Sequence, residues 1–110
     1  MSLSLTIKNK MEVSKREIIL DGLNIYTESD VHGVLSEKLD FGPYYGRNLN
    51  ALWDRLSNDV ERPVTLVWTN SDTTRQRLGD TFNRIVEVLE RVRKQDIELN
   101  FDDKFDYILK

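Results

Sequence analysis

Cysteine is absent from this 110-residue sequence, histidine occurs once and proline twice. Without cysteine there can be no disulfide framework, no thiolate nucleophile and no cysteine zinc site, so the chain is indifferent to redox compartment. Imidazole chemistry, whether metal ligation or base catalysis, falls to His32 alone. Long apolar runs are missing too: no segment approaches the roughly 18 apolar residues that a membrane span requires. The opening MSLSLTIKNKMEV holds no apolar stretch of signal-peptide length, so the expected address is the cytoplasm, with no membrane partner. Nor is there a basic excess. Sixteen Lys and Arg face 19 Asp and Glu, a formal charge of −3, which disfavours direct nucleic-acid binding. No Pro-, Gly- or Ser-rich linker and no internal repeat divides the chain. With 39% hydrophobic and 32% charged residues it has the composition of one soluble globular domain.

What is present alternates between strand-like and helix-like patterns. Glu17-Ile18-Ile19-Leu20, closed by the turn dipeptide Asp21-Gly22, reads as a buried strand. Ser29 is placed to cap a helix whose Val31, Val34, Leu35 and Leu39 share a face. Two glycines and Pro43 within Asp40–Gly46 reopen the chain as a loop, after which Asn48 can cap a second helix with Leu49, Leu52, Trp53 and Leu56 inward. Asn50 and Asp54, four residues apart, point together from a different face of it. Pro63 leads into the strand Val64–Trp68, and a short helix, Ser71–Leu78, follows. Gly79-Asp80 breaks that helix and caps a longer one over Thr81–Lys94, with Phe82, Ile85, Val86, Leu89 and Val92 inward. Ile97, Leu99 and Phe101 alternate with polar residues, as do Phe105, Tyr107 and Leu109; either run can be the last central strand, or the two a hairpin. Strands separated by helices argue for parallel pairing, because parallel neighbours need a crossover. The expected fold is α/β, a small three-stranded parallel sheet packed against three to four helices. Leu3, Leu5 and Ile7 make residues 1–16 an extension, either an edge strand or a tail, ahead of a single domain over 17–110.

Catalytic constellations are thin. A nucleophile–base triad would have to run through His32, whose helical neighbours Ser29 and Ser36 are a cap and a surface serine; a solvent-exposed histidine is the expectation. Asp102, Asp103 and Asp106 lack the spacing of a cation site and read as a solvated turn. The five glycines never form a phosphate-cradling motif. The arginine stripe of 75–94 is interleaved with Asp80, Glu87 and Glu90 and reads as an outer helix face. No enzyme, cofactor or metal is expected.

The remaining segment, Tyr44-Tyr45-Gly46-Arg47-Asn48-Leu49-Asn50-Ala51-Leu52-Trp53-Asp54, sets two tyrosines in a loop and Asn50, Trp53 and Asp54 on the helix after it. Aromatic area beside a directed carboxylate suits a protein interface, since rings bury large surface with few rotamers lost. Equally, Trp53 and the tyrosines could be core.

This segment resembles the signature of the barstar family, intracellular inhibitors of barnase-type ribonucleases, and the likeness extends through Ile18-Ile19-x-Asp21-Gly22, Pro63–Trp68 and Val86-x-Val88-Leu89, covering roughly residues 17–94. The resemblance implies a three-stranded parallel sheet flanked by helices and a non-catalytic role in nuclease immunity. It implies that the loop and second helix enter a ribonuclease or related toxin's basic active site, with Asp54 in the place of an RNA phosphate. On the same resemblance Tyr44 and Trp53 supply apolar contact and Asn48, Asn50 and Asn58 lie at the interface. Asn50 stands where the family has a second aspartate, and Arg91 reverses the sign of an acidic residue, so the expected partner differs from the type nuclease. A monomer is expected. A protein-interaction module with a non-nuclease partner is the alternative; a small enzyme would depend on His32.

Overall fold

The computed structural model describes residues 16–110. The expected edge strand or tail therefore lies outside the described residues except for Arg16, which opens the first strand. In chain order the elements are β1 (Arg16–Asp21), a 3-10 turn (Gly22–Asn24), α1 (Glu28–Leu39), α2 (Leu49–Asn58), β2 (Val64–Thr69), α3 (Ser71–Leu78), α4 (Asp80–Glu98) and β3 (Phe105–Leu109). The sheet order is β1-β2-β3, and both neighbouring pairs are parallel. Each crossover is made by two helices, as parallel pairing demands.

β2 is central because it alone is apolar on both faces: Val64, Leu66, Val67 and Trp68 are all buried. The edge strands bury one face each. Ile18 and Leu20 pair in register with Leu66 and Trp68 and point into the core, whereas Ile19 is exposed. The expectation of a fully buried first strand is thus half met. Beneath the inner face lie Val31 and Leu35 of α1, Leu52 and Leu56 of α2, and Phe82, Ile85, Val88, Leu89 and Val92 of α4.

Three local expectations are corrected. The α1 cap is Thr27 rather than Ser29: Thr27 Oγ1 accepts from the Asp30 N–H at 3.3 Å while the Asp30 carboxylate accepts from the Thr27 N–H at 3.1 Å. That reciprocal pair satisfies two free donors, which a lone serine cannot. Asp80 does not cap α4 through its side chain; Gly79, at φ 58°, forms the joint between α3 and α4, a conformation glycine adopts cheaply. And α4 runs to Glu98, so Ile97, Leu99 and Phe101 are not a strand but an exposed helix end and turn. The reason is Asp96. Its carboxylate, wholly buried on the inner face of α4, accepts from Arg62 Nε at 2.9 Å, Arg62 Nη2 at 3.1 Å and the Phe105 N–H at 2.7 Å. This cluster continues the helix past the apolar stripe and then fixes where β3 begins. β3 is consequently an edge strand, and no hairpin forms.

Gly22 marks the tightest approach in the fold. It is buried where β1 ends, and a Cβ there would collide with the Asn70 and Thr69 carbonyl oxygens and with Thr74 Oγ1. Thr74 Oγ1 itself donates to the Gly22 carbonyl at 3.1 Å and accepts from Trp68 Nε1 at 3.2 Å. Gly22→Ala is therefore expected to destabilise the domain by about 1–3 kcal/mol through overpacking, measurable by denaturant unfolding.

Candidate functional site

The segment from Asp40 to Asn58 runs from the end of α1 to the end of α2. Asp40 leaves α1 at φ 55°, and Gly42 at φ 81° starts the loop. Asn48 ends it by capping α2, its Oδ1 accepting from the Ala51 N–H at 2.8 Å while its Nδ2 donates to the Gly46 carbonyl at 3.3 Å. The cap lets α2 start abruptly, so Asn50 and Asp54 fall on its outer face and Leu52 and Leu56 on its inner one.

The two adjacent tyrosines part company. Tyr44 is 91% exposed, the most open large ring among the described residues. Tyr45 is buried against Phe41, ring centroids 4.7 Å apart. The question left open by composition, core or surface, thus has a different answer for each.

Asp54 is exposed and forms no ion pair among the described residues. Its one side-chain contact is neutral: Asn58 Nδ2 donates to Asp54 Oδ1 at 2.9 Å and to the Asp54 carbonyl at 3.1 Å. The carboxylate is thereby oriented without being neutralised. Trp53 is half-buried, and the Arg91 guanidinium lies over its ring at 4.3 Å from the centroid. Arg91 comes from α4, so the indole joins that helix to α2. Tyr44, Asn48, Asn50, Trp53, Asp54, Asn58 and Arg91 accordingly belong to one loop-and-helix surface with α4 beside it.

His32 requires a correction. Its side chain is 1% exposed, packed beneath the loop rather than turned to solvent. Nδ1 lies 2.6 Å from Tyr45 Oη and Nε2 lies 2.8 Å from Glu28 Oε2. Two polar partners make burial of an imidazole affordable. The signal was present in part: Glu28 and His32 stand four apart, and His32 adjoins the Val31–Leu35 stripe. Arg47 was also overlooked. At φ 53° it turns back to α1, its Nη2 donating to the Ser29 carbonyl at 3.0 Å and to Ser29 Oγ at 2.9 Å.

Burial pushes the Tyr45 phenol up to about 12. The Tyr107 phenol is likewise pushed up to about 12, by burial first and then by donating to Glu90 Oε1 at 2.9 Å. Raised values mean that these two groups stabilise the fold fully below the ordinary value of 10.0 and lose that contribution as the pH climbs through about 12. An ultraviolet phenolate titration should show both ionising late, together with unfolding, and Tyr45→Phe should remove one of the late steps.

Among the described residues no group of three or more His, Cys, Asp or Glu is placed to hold a metal ion, and Asp102, Asp103 and Asp106 are exposed. No described helix is long and apolar enough to cross a membrane.

A three-stranded parallel sheet with four helices, and a tethered loop leading into a short helix that exposes Asn50 and Asp54, defines a small α/β domain of one recognisable class. The sequence model described as "Barstar (barnase inhibitor)" matches residues 15–107. A protein of Bacillus subtilis (strain 168) named "Putative ribonuclease inhibitor YrdF" is 40% identical over 80 residues, covering 73% of this chain and 88% of that protein. The chain belongs to the barstar family.

Proposed function

We propose that this protein is a non-catalytic inhibitor of a barnase-type ribonuclease or related nuclease toxin, seating its loop and α2 in the enzyme's basic active site. Asp54 takes the place of an RNA phosphate there. The observation that carries the reading is the state of that carboxylate: exposed, hydrogen-bonded by Asn58, and without an ion-pair partner among the described residues. A cationic cleft can meet it at little cost of reorganisation in the inhibitor. Family membership and the name of the Bacillus relative support the same role.

Tyr44 and Trp53 supply apolar contact, and Asn48, Asn50 and Asn58 line the contact area. Arg91, over the Trp53 ring, adds a positive charge to the contact area, which disfavours a uniformly basic rim and selects a partner with an acidic group at that place. Titrating purified protein into a fixed concentration of barnase, and into a panel of related ribonucleases, tests the proposal. The expected result is loss of RNA cleavage that is complete at one inhibitor per enzyme for at least one of them. Full activity of every ribonuclease at saturating inhibitor would reject it, and capture of a non-nuclease protein through the Tyr44–Asp54 surface would then favour an interaction module on the same scaffold.

A further inference from the structure

The loop that carries Tyr44 has no helix or strand of its own, yet it is tied to α1 at two points. Arg47 clamps one end onto Ser29. The other tie is buried: the Tyr45 hydroxyl meets His32 Nδ1 at 2.6 Å, and the far side of the same imidazole meets Glu28 at 2.8 Å. The chemistry of these partners fixes the proton. A carboxylate can only accept, so the nitrogen facing Glu28 must carry hydrogen. In the neutral ring Nδ1 is then left with a lone pair, and the Tyr45 hydroxyl, itself a donor, supplies the matching proton.

We propose that His32 is a positioning residue for the recognition loop: a neutral Nε2–H imidazole, oriented by Glu28, that accepts the Tyr45 hydroxyl at Nδ1 and thereby holds Tyr44 outward. The inference rests on the loop being the binding surface, and it concerns a residue that itself lies beneath that surface. Tyr45 and Tyr44 are consecutive, so fixing the buried ring fixes the backbone from which the exposed one projects. Tyr44 can be almost wholly exposed and still be presented in one place, which lowers the ordering cost at binding. The charges that act on the Tyr45 hydroxyl among the described residues are Arg47 in the loop, Glu28 on α1 and Arg55 on α2. Two of the three are guanidiniums, so a protonated imidazole would add a third positive charge beside them and would turn Nδ1 from acceptor to donor.

Two substitutions separate the halves of the ring. His32→Asn sets an amide oxygen near the place of Nδ1 and keeps an acceptor for Tyr45, while His32→Gln sets an amide near the place of Nε2 and keeps the bond to Glu28. Both shrink a buried side chain and should lower thermal stability similarly. Binding to barnase should divide them: His32→Asn stays close to the wild type, whereas His32→Gln and Tyr45→Phe each weaken it about tenfold. In the free protein, nitrogen NMR should show the Nε2–H tautomer at His32, and amide exchange across residues 42–47 should quicken in His32→Gln and Tyr45→Phe but not in His32→Asn. Equal effects of the two histidine substitutions on exchange, or an Nδ1–H tautomer, would overturn the proposal. If the wild type does not bind barnase, the functional reading loses that partner while the NMR and exchange results still decide the role of His32.

Discussion

Replacing Asp54 with alanine should weaken capture of a barnase-type ribonuclease by about 2–5 kcal/mol, or roughly thirtyfold to several-thousandfold, a range for desolvated interfacial charges to which the barnase–barstar pair itself contributes. The loss should lie mainly in faster dissociation, since removing one partner leaves the enzyme's cations buried and unpaired. Thermal stability should stay within about 0.5 kcal/mol of the wild type, because the side chain is exposed and among the described residues its carboxylate is hydrogen-bonded only by Asn58. Asp54→Asn should behave similarly despite its nearly unchanged shape, which isolates charge from fit. Surface-binding kinetics beside a thermal melt provide the check. A large drop in melting temperature with unaltered binding would mean that Asp54 serves the fold and that the phosphate-mimic role is wrong.

The largest effect on stability should come from Asp96→Ala. This carboxylate is completely buried and engages three donors, two on Arg62 and one on the backbone of Phe105. Removing it leaves the Arg62 guanidinium, 11% exposed, without its counter-charge and orphans a backbone N–H at the start of β3. Breaking such a pair costs about 3–5 kcal/mol. For a domain of this size that is a fall in melting temperature on the order of 15 °C or more. Circular dichroism melts would detect it, and a shift of only a few degrees would show that water or a neighbouring group replaces the lost acceptor. The double substitution Arg62→Met, Asp96→Leu should recover part of the loss, because no unpaired charge remains, but not all of it, since the Phe105 N–H still lacks a partner.

These two aspartates show what could and could not be read along the chain. Asp54 announces itself, four residues after Asn50 on the face opposite Leu52 and Leu56, in a segment whose likeness to a known family is dense enough to assign. Asp96 looks like one more charge at a helix end, because its partners stand 34 residues before it and 9 after it. Its effect on the last third of the chain is the same blindness at larger scale. Ile97, Leu99 and Phe101 alternate as convincingly as Phe105, Tyr107 and Leu109, and only the buried carboxylate decides that the first run continues a helix. His32 was misjudged for a related reason. A histidine beside an apolar stripe is read as exposed until a loop from 13 residues further on folds over it and supplies a hydroxyl.

By itself the amino-acid order determined the parallel α/β architecture, most helix and strand placements, the family, and a helix bearing Asp54 that follows an aromatic loop. Periodicity and turn chemistry act between near neighbours, and these features need nothing more. Tertiary structure alone decided which tyrosine faces out, that His32 is buried between Glu28 and Tyr45, where α4 gives way to β3, and that the Asp54 carboxylate forms no ion pair among the described residues. Each of those depends on a hydrogen bond or charge pair, made or absent, between groups that only the folded chain brings within a few ångströms.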